Sequence, residues 1–168
     1  QKAADQGDAG AQYNLGQIFS GNLGLGEEKE VKQDIKEAVK WWQKAADQGY
    51  ALAQYNLGSM YANGQGVEQD FKEAVKWFQR AVDQGDANGQ YNLGVMYRDG
   101  QGVEQDFKEA VKWTRNAANQ GYAPAQSNLG GMYFNGQGVE QDFKEAVKWY
   151  QKAADQGYAL AQYVLGFM

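Results

Sequence analysis

The sequence predicts an all-α fold, a solenoid of about four 36-residue helix-turn-helix repeats. Tryptophan recurs at every 36th position, at Trp41, Trp77, Trp113 and Trp149, and leucine keeps the same step from Leu57 to Leu165. The phrase GQGVEQDFKEAVKW also occurs three times unchanged. Periods of this length are typical of stacked supersecondary units, so we expect function on an extended surface and not in one central cleft.

The period places the whole 168-residue sequence in a single array. The first unit carries six extra residues in its loop, between Asn22 and Lys32. Both ends fall inside a unit, and we expect the sequence to be part of a longer chain. The predicted boundaries are 9–50 with the loop insertion, 51–86, 87–122 and 123–158, with partial units at 1–8 and 159–168.

In each unit the second helix, called helix B, follows the long loop. In the second unit Asp70 and Glu73 have capping-box spacing, with Asp70 accepting from first-turn amides and Glu73 reaching back to the Asp70 amide. Gly85 is expected to end the helix in a left-handed conformation. The apolar residues recur at helical spacing, and Trp77 widens the stripe. They are Phe71, Ala74, Val75, Phe78, Ala81 and Val82.

The first helix, helix A, is predicted from Ala51 to Ala62 in the same unit. Its buried arc is Ala53, Leu57, Met60 and Tyr61, which lie on one side at 100° per residue. Gly58 recurs in every unit, and a glycine inside a helix costs about 1 kcal/mol relative to alanine, so it indicates a close helix approach. A turn from Gly64 to Gly66 leads into helix B, with Val67 anchoring the loop.

The composition excludes several classes of function. There is no histidine and no cysteine, so Ser–His or Cys–His nucleophile pairs and imidazole or thiolate metal sites cannot form. We therefore expect no catalytic residues, no metal and no cofactor. The net charge is −5 and lysines share helices with acids, which argues against nucleic acid. No apolar run approaches the roughly 18 residues of a membrane span, so no membrane insertion is expected.

The residue order within each unit resembles the Sel-1-like repeat, a relative of the tetratricopeptide repeat. The resemblance covers the whole sequence through the pattern A-x-A-Q-Y-N-L-G-x-M-Y-x-x-G-x-G-V-x-x-D-x-x-x-A-x-x-W-x-x-x-A-A-x-x-G. It implies an α/α right-handed superhelix that acts as an adaptor or scaffold for proteins, in bacteria often in exported proteins involved in host interaction. It favours an extracytoplasmic location, and a cytoplasmic one stays open. The lack of cysteine excludes the disulfide-bonded subgroup.

Comparison of the units predicts where a partner binds. Positions alike in every unit are expected to serve packing, whereas those that differ are free to specialise. On helix A the variable positions are spaced i, i+3, i+7 and i+10, so they form one stripe opposite the buried arc. We call this stripe, with its flanking residues, the inner wall. Its candidate residues are Tyr13, Asn14, Tyr55, Asn56, Ser59, Asn88, Tyr91, Asn92, Val95, Arg98, Asp99, Ser127, Asn128 and Phe134.

The asparagines of the inner wall recur once per unit and permit two interpretations. An asparagine ladder is suited to clamp the backbone of an extended peptide. Alternatively each asparagine bonds the loop or the neighbouring helix, and the adjacent tyrosines fill gaps. Both interpretations stay open.

The third and fourth units depart most from the others. Arg98 near Phe134 would hold an acidic group or a C-terminal carboxylate against an apolar neighbour. The alternative is a surface pair of Arg98 with Asp99. Thr114 replaces the aromatic residue of the other units, which predicts either a notch or, as the preferred interpretation, a partly exposed and tolerant position.

These observations predict a scaffold that binds a protein or peptide segment on its inner wall, without catalysis. The alternatives are a structural spacer or regulatory domain of a larger protein and, more distantly, a carboxylate-dependent hydrolase. The apolar residues from Leu160 to Met168 also predict end-to-end self-association of the fragment.

Overall fold

The computed structural model describes residues 1–21 and 34–168. The predicted loop insertion lies outside the described residues. Within them the chain forms ten helices and no β-strand. The prediction of an all-α fold of helix-turn-helix repeats is confirmed. The chain forms two compact units, residues 1–84 and 85–168.

The unit of residues 1–84 contains five helices, each packed on the next along the chain. Their bounds are α1 Lys2–Asp5, α2 Ala9–Phe19, α3 Ile35–Asp47, α4 Ala51–Asn63 and α5 Phe71–Val82. Here α2 and α4 are A helices, and α3 and α5 are B helices. The predicted arc of α4 is confirmed, because Ala53 and Leu57 are fully buried and Met60 and Tyr61 pack against the same core. Val67 anchors the loop on this core, as predicted.

The unit of residues 85–168 repeats this arrangement. Its helices are α6 Ala87–Asp99, α7 Phe107–Asn119, α8 Ala123–Asn135, α9 Phe143–Asp155 and α10 Ala159–Leu165. The A helices α6, α8 and α10 alternate with the B helices α7 and α9, and each packs on its neighbour. The buried core is built largely from alanine and one leucine per repeat, which is the composition expected where helices approach closely.

Half of the predicted capping box is present. Asp70 accepts hydrogen bonds from the amides of Lys72 and Glu73, at 2.9 and 3.0 Å. The second half of the prediction is wrong, because the Asp70 amide donates instead to the Tyr61 carbonyl at 2.9 Å. Glu73 is therefore released to pair with Lys76 at 2.7 Å. The long loop closes on the end of the preceding A helix, a contact that a local capping motif does not reveal.

The glycine inside each A helix marks a close approach, as predicted. A Cβ atom built on Gly58 would lie 2.6 Å from the Phe78 ring, and one on Gly130 would lie 3.0 Å from the Tyr150 ring. Gly94 differs, because its Cβ would meet the Thr114 Oγ1 at 2.7 Å and also backbone atoms of α7, the Ala110 oxygen at 3.1 Å and the Thr114 nitrogen at 3.2 Å. Where the aromatic residue is missing, the short Thr114 side chain and the backbone of α7 both lie against the glycine.

Thr114 is therefore neither partly exposed nor tolerant, and that interpretation is corrected. Its side chain is fully buried, and its Oγ1 has no hydrogen-bond partner. The close approach of α6 takes the space that an aromatic ring occupies elsewhere. An unpaired buried hydroxyl costs about 1–3 kcal/mol.

We expect Thr114→Val to raise the free energy of unfolding by about 1 kcal/mol, because it removes the unpaired hydroxyl with little change of shape. Thr114→Ser is the matched control, since it keeps the hydroxyl, deletes a methyl group and should lower stability by about 1 kcal/mol. Urea denaturation followed by circular dichroism measures both changes. A loss of stability in the valine variant would show that Oγ1 makes a stabilising hydrogen bond.

A row of buried glutamines fastens the helices, and the sequence analysis missed it. In residues 85–168, Gln126 Nε2 donates to the Ala118 carbonyl at 3.1 Å, and Gln126 Oε1 accepts from Gln156 Nε2 at 2.7 Å. In residues 1–84, Gln54 makes the equivalent bonds to Ala46 and Gln84. Each side-chain amide has both a donor and an acceptor. One glutamine therefore bonds a carbonyl at the end of one B helix and a glutamine side chain at the end of the next B helix.

Candidate functional site

An open-sided cavity of about 270 Å³ lies in the unit of residues 85–168. Four inner-wall residues line it, from two A helices: Tyr91 and Arg98 of α6, and Ser127 and Asn128 of α8. The opposite side is formed by Leu160 and Val164 of α10. Pro124, Gly131, Tyr150 and Tyr158 complete the lining. Side chains at variable positions of successive A helices thus converge on one site.

Arg98 is held at the edge of this cavity by Asp99. Its Nε and Nη2 donate to the two Asp99 carboxylate oxygens at 2.7 and 2.8 Å. This hydrogen-bonded pairing lowers the Asp99 pKa and raises that of Arg98. A lowered carboxyl pKa keeps the pair ionised throughout the range above pH 3.8, the ordinary value for aspartate. Arg98 was predicted either to lie near Phe134 as an anchor or to pair with Asp99, and the structure shows the pair. The guanidinium charge is therefore neutralised by a carboxylate of the same chain.

Arg98 Nη1 and the Asn128 side chain lack good hydrogen-bond partners. Nη1 is 3.5 Å from Asn128 Oδ1, longer than the usual 2.7–3.2 Å. Asn128 Nδ2 is buried without any partner. Ser127 beside it is only 4% exposed, although it was predicted on an exposed surface. The polar part of the cavity therefore contains one weakly bonded donor, Arg98 Nη1, beside one buried donor without a partner, Asn128 Nδ2.

The cavity depends on Gly131. A Cβ atom at this position would lie 3.3 Å from the hydroxyl oxygen of Tyr150, so any side chain here would enter the space above that ring. The equivalent residues of the other A helices are Gln17, Ser59 and Val95. Burial raises the pKa of the Tyr150 and Tyr91 hydroxyls, which keeps both groups protonated and neutral.

The other inner-wall candidates of this unit do not join the cavity lining. Asn92 donates to the Asn88 carbonyl of its own helix at 2.9 Å, so it is engaged neither with a loop nor with a neighbouring helix. Asn88 and Val95 are half-buried on α6. Phe134 packs edge-on against Phe143, with ring centroids 5.2 Å apart, rather than against Arg98.

The remaining candidates lie in the unit of residues 1–84. Tyr13 packs against Tyr50, and Tyr55 against Phe78, with ring centroids 5.0 and 6.2 Å apart. These tyrosines therefore take part in packing, as the alternative interpretation held. Asn14 is exposed, and Asn56 and Ser59 are half-buried.

Six of the ten lining residues were not among the predicted candidates, and the sequence contains a signal for two of them. Val164 occupies the position that is asparagine in the four preceding A helices, so a departure from the ladder marks the apolar side of the cavity. Tyr158 precedes α10 at a position that is tyrosine at Tyr50 and Tyr122 but aspartate at Asp8 and Asp86. Both positions differ between units, and both residues contribute apolar surface to the cavity.

The part of the chain that the structure describes contains no group of acidic side chains arranged to hold a metal ion. Among its helices, none has the length and apolar character needed to cross a bilayer. Repeated carboxylates such as Asp142 and Glu145 serve helix capping and an ion pair with Lys148.

Comparison with solved structures finds close likeness to Sel1-repeat proteins. A protective antigen present in uropathogenic Escherichia coli strains, which displays an SLR fold, is 42% identical with a TM-score of 0.91 over 99% of this chain and 34% of its own. A Sel1 repeat protein from Oxalobacter formigenes is 38% identical, with a TM-score of 0.86 over 95% and 63%. The chain therefore spans about a third of the length of the first protein and under two thirds of the length of the second.

More distant likeness extends to cysteine-rich protein B of Helicobacter pylori, at 25% identity and a TM-score of 0.62 over 84% of this chain and 99% of that protein. The sequence matches none of the curated proteins. A sequence model of the Sel1 repeat matches residues 1–8, 9–50, 51–86, 87–122 and 123–158. Matches to this model over nearly the whole length, together with the SLR-fold neighbours, show that the chain belongs to the Sel1-repeat family.

Proposed function

We propose that this array is a protein-interaction scaffold that binds a protein or peptide segment on its inner wall. The convergence of variable A-helix side chains on one cavity carries this proposal, because packing alone does not require the variable positions to meet. Membership of the Sel1-repeat family supports it, since such repeats generally serve as interaction scaffolds. The engagement of Asp142 and Glu145 in capping and pairing favours binding over hydrolysis.

We expect phage-displayed random peptides to be selected by the immobilised chain and to bind along its A helices. Each selected peptide would be titrated into ¹⁵N-labelled protein and the backbone amide shifts mapped. Shifts should concentrate at inner-wall residues such as Tyr91 and Arg98, because these side chains line the cavity.

The B helices supply the internal control. Lys76 and Lys148 lie exposed on α5 and α9 and should show no comparable shifts. Selection of no peptide at all, or shifts confined to these lysine-bearing faces, would contradict the proposal and favour the spacer alternative.

A further inference from the structure

The charge of the cavity indicates what it accepts. Arg98 is the sole charged residue in the lining, and both carboxylate oxygens of Asp99 are already bonded to it. The pair is electrically neutral, so a second carboxylate would have to compete with Asp99 and would leave one negative charge unmatched. The cavity is therefore suited to an uncharged group.

Two hydrogen-bond donors at its polar edge are poorly paired. Arg98 Nη1 has only a long contact to Asn128 Oδ1, and Asn128 Nδ2 has no partner although it is shielded from solvent. Because Arg98 lines the cavity, a ligand oxygen can give Nη1 a shorter hydrogen bond than this 3.5 Å contact. A neutral carbonyl provides such an acceptor without adding charge.

The remaining lining is aromatic or aliphatic. Tyr91, Tyr150 and Tyr158 face the cavity together with Leu160 and Val164. The volume of about 270 Å³ lies just below the roughly 300–1,000 Å³ of typical small-molecule sites. This size fits one large side chain rather than a cofactor, and tyrosine-rich walls are favourable for aromatic contacts.

We propose that this cavity anchors one uncharged aromatic or branched apolar side chain of a bound peptide, while the adjacent peptide carbonyl accepts a hydrogen bond from Arg98 Nη1. The proposal rests on the proposed scaffold function and adds to it the chemistry of the anchor. Asp99 acts as a positioning residue, because it fixes the guanidinium plane and cancels its charge. Specificity then comes from the absence of a free charge in the cavity.

The test uses four small probes of defined chemistry, titrated into ¹⁵N-labelled protein. N-acetylphenylalanine amide and N-acetylleucine amide carry an apolar side chain beside neutral carbonyls. Free N-acetylphenylalanine adds a carboxylate to the same side chain, and N-acetylaspartic acid amide carries a carboxylate in place of the apolar side chain. We expect the neutral probes to shift the Gly131 backbone amide, the Asn128 side-chain amide and the Arg98 Nε resonance, and to bind at least about tenfold more tightly than the charged ones.

A cavity-filling variant tests the location. Gly131→Val introduces the residue that α6 carries at the equivalent position, Val95, and its Cβ would lie within 3.3 Å of the Tyr150 hydroxyl. We expect at least about a tenfold loss of probe binding, because the side chain takes the space of the anchor. Ser59→Val makes the same residue at the equivalent position of α4 and should leave probe binding unchanged.

A second variant tests the role of charge. Asp99→Asn removes the carboxylate that neutralises Arg98, and we expect free N-acetylphenylalanine to gain about tenfold in affinity while the neutral amides change little. Circular dichroism would verify that each variant is folded. An unchanged preference for the neutral probes in this variant would show that the Arg98–Asp99 pair does not set the specificity.

The outcomes separate this inference from the proposed function. Tighter binding of the carboxylate probes to the parent chain would overturn the neutral anchor and leave the scaffold function intact. Selected peptides that bind along the A helices without disturbing Gly131 would also overturn the inference alone. Failure of every peptide and every probe would overturn both.

Discussion

Gly138→Ala is expected to lower the free energy of unfolding by about 3–5 kcal/mol, the largest loss among the glycine positions considered. Gly138 has a φ of +70°, a left-handed conformation that costs other residues about 1–2 kcal/mol. Its Cβ would also lie 2.5 Å from the carbonyl carbon of Phe107 and closer still to the oxygen. Because the obstacle is the backbone at the start of α7, no side-chain rotation relieves it.

Gly121→Ala is the matched control for the conformational part of this loss. Gly121 has a φ of +89° in the same unit, and a Cβ there would meet nothing within 4 Å. We expect a loss of about 1–2 kcal/mol, from the left-handed conformation alone. Urea denaturation at 25 °C measures both variants, and equal losses would show that the loop moves away from α7 without further cost.

The fold was predictable because the same sequence pattern recurs in every unit. Helix positions, the buried arc around Leu57, the close approach at Gly58 and the anchoring by Val67 all follow from local spacing of apolar residues and glycine. The partner of the Asp70 amide was not predictable in this way, because it is the Tyr61 carbonyl of the preceding helix. The burial of Thr114 likewise depends on how closely α6 approaches α7, which the residues of α7 alone do not determine.

The candidate site was predictable only in part. Comparison of the repeats located the variable stripe, and four of its residues do line one cavity. The predicted contact between Arg98 and Phe134 is not present. They occupy equivalent positions of successive A helices, and each contacts a nearer residue instead. Arg98 bonds to the adjacent Asp99, and Phe134 packs on Phe143, the first residue of the helix that follows it. The contacts of an inner-wall residue therefore depend on where the loop after its helix leads, as well as on its place in the variable stripe.

The second large effect is expected for Phe78→Ala, which should lower the free energy of unfolding by about 3–5 kcal/mol. Phe78 is fully buried, its ring lies against Gly58, and it packs on Tyr55. Gly58 has no side chain that could move into the space left by the ring. The α4–α5 contact would therefore retain most of the cavity, and the loss should lie near the upper end of the range.

Phe143→Ala separates this cavity cost from the general cost of removing a phenylalanine from a B helix. Phe143 is 53% exposed and its ring packs edge-on against Phe134, so truncation should cost only about 1 kcal/mol. Because repeats interact with their neighbours only, hydrogen exchange should show the Phe78→Ala loss most strongly in α4 and α5. Equal losses in the two variants, or a loss spread evenly over all helices, would mean that the glycine–ring contact is not what holds each A helix to its B helix.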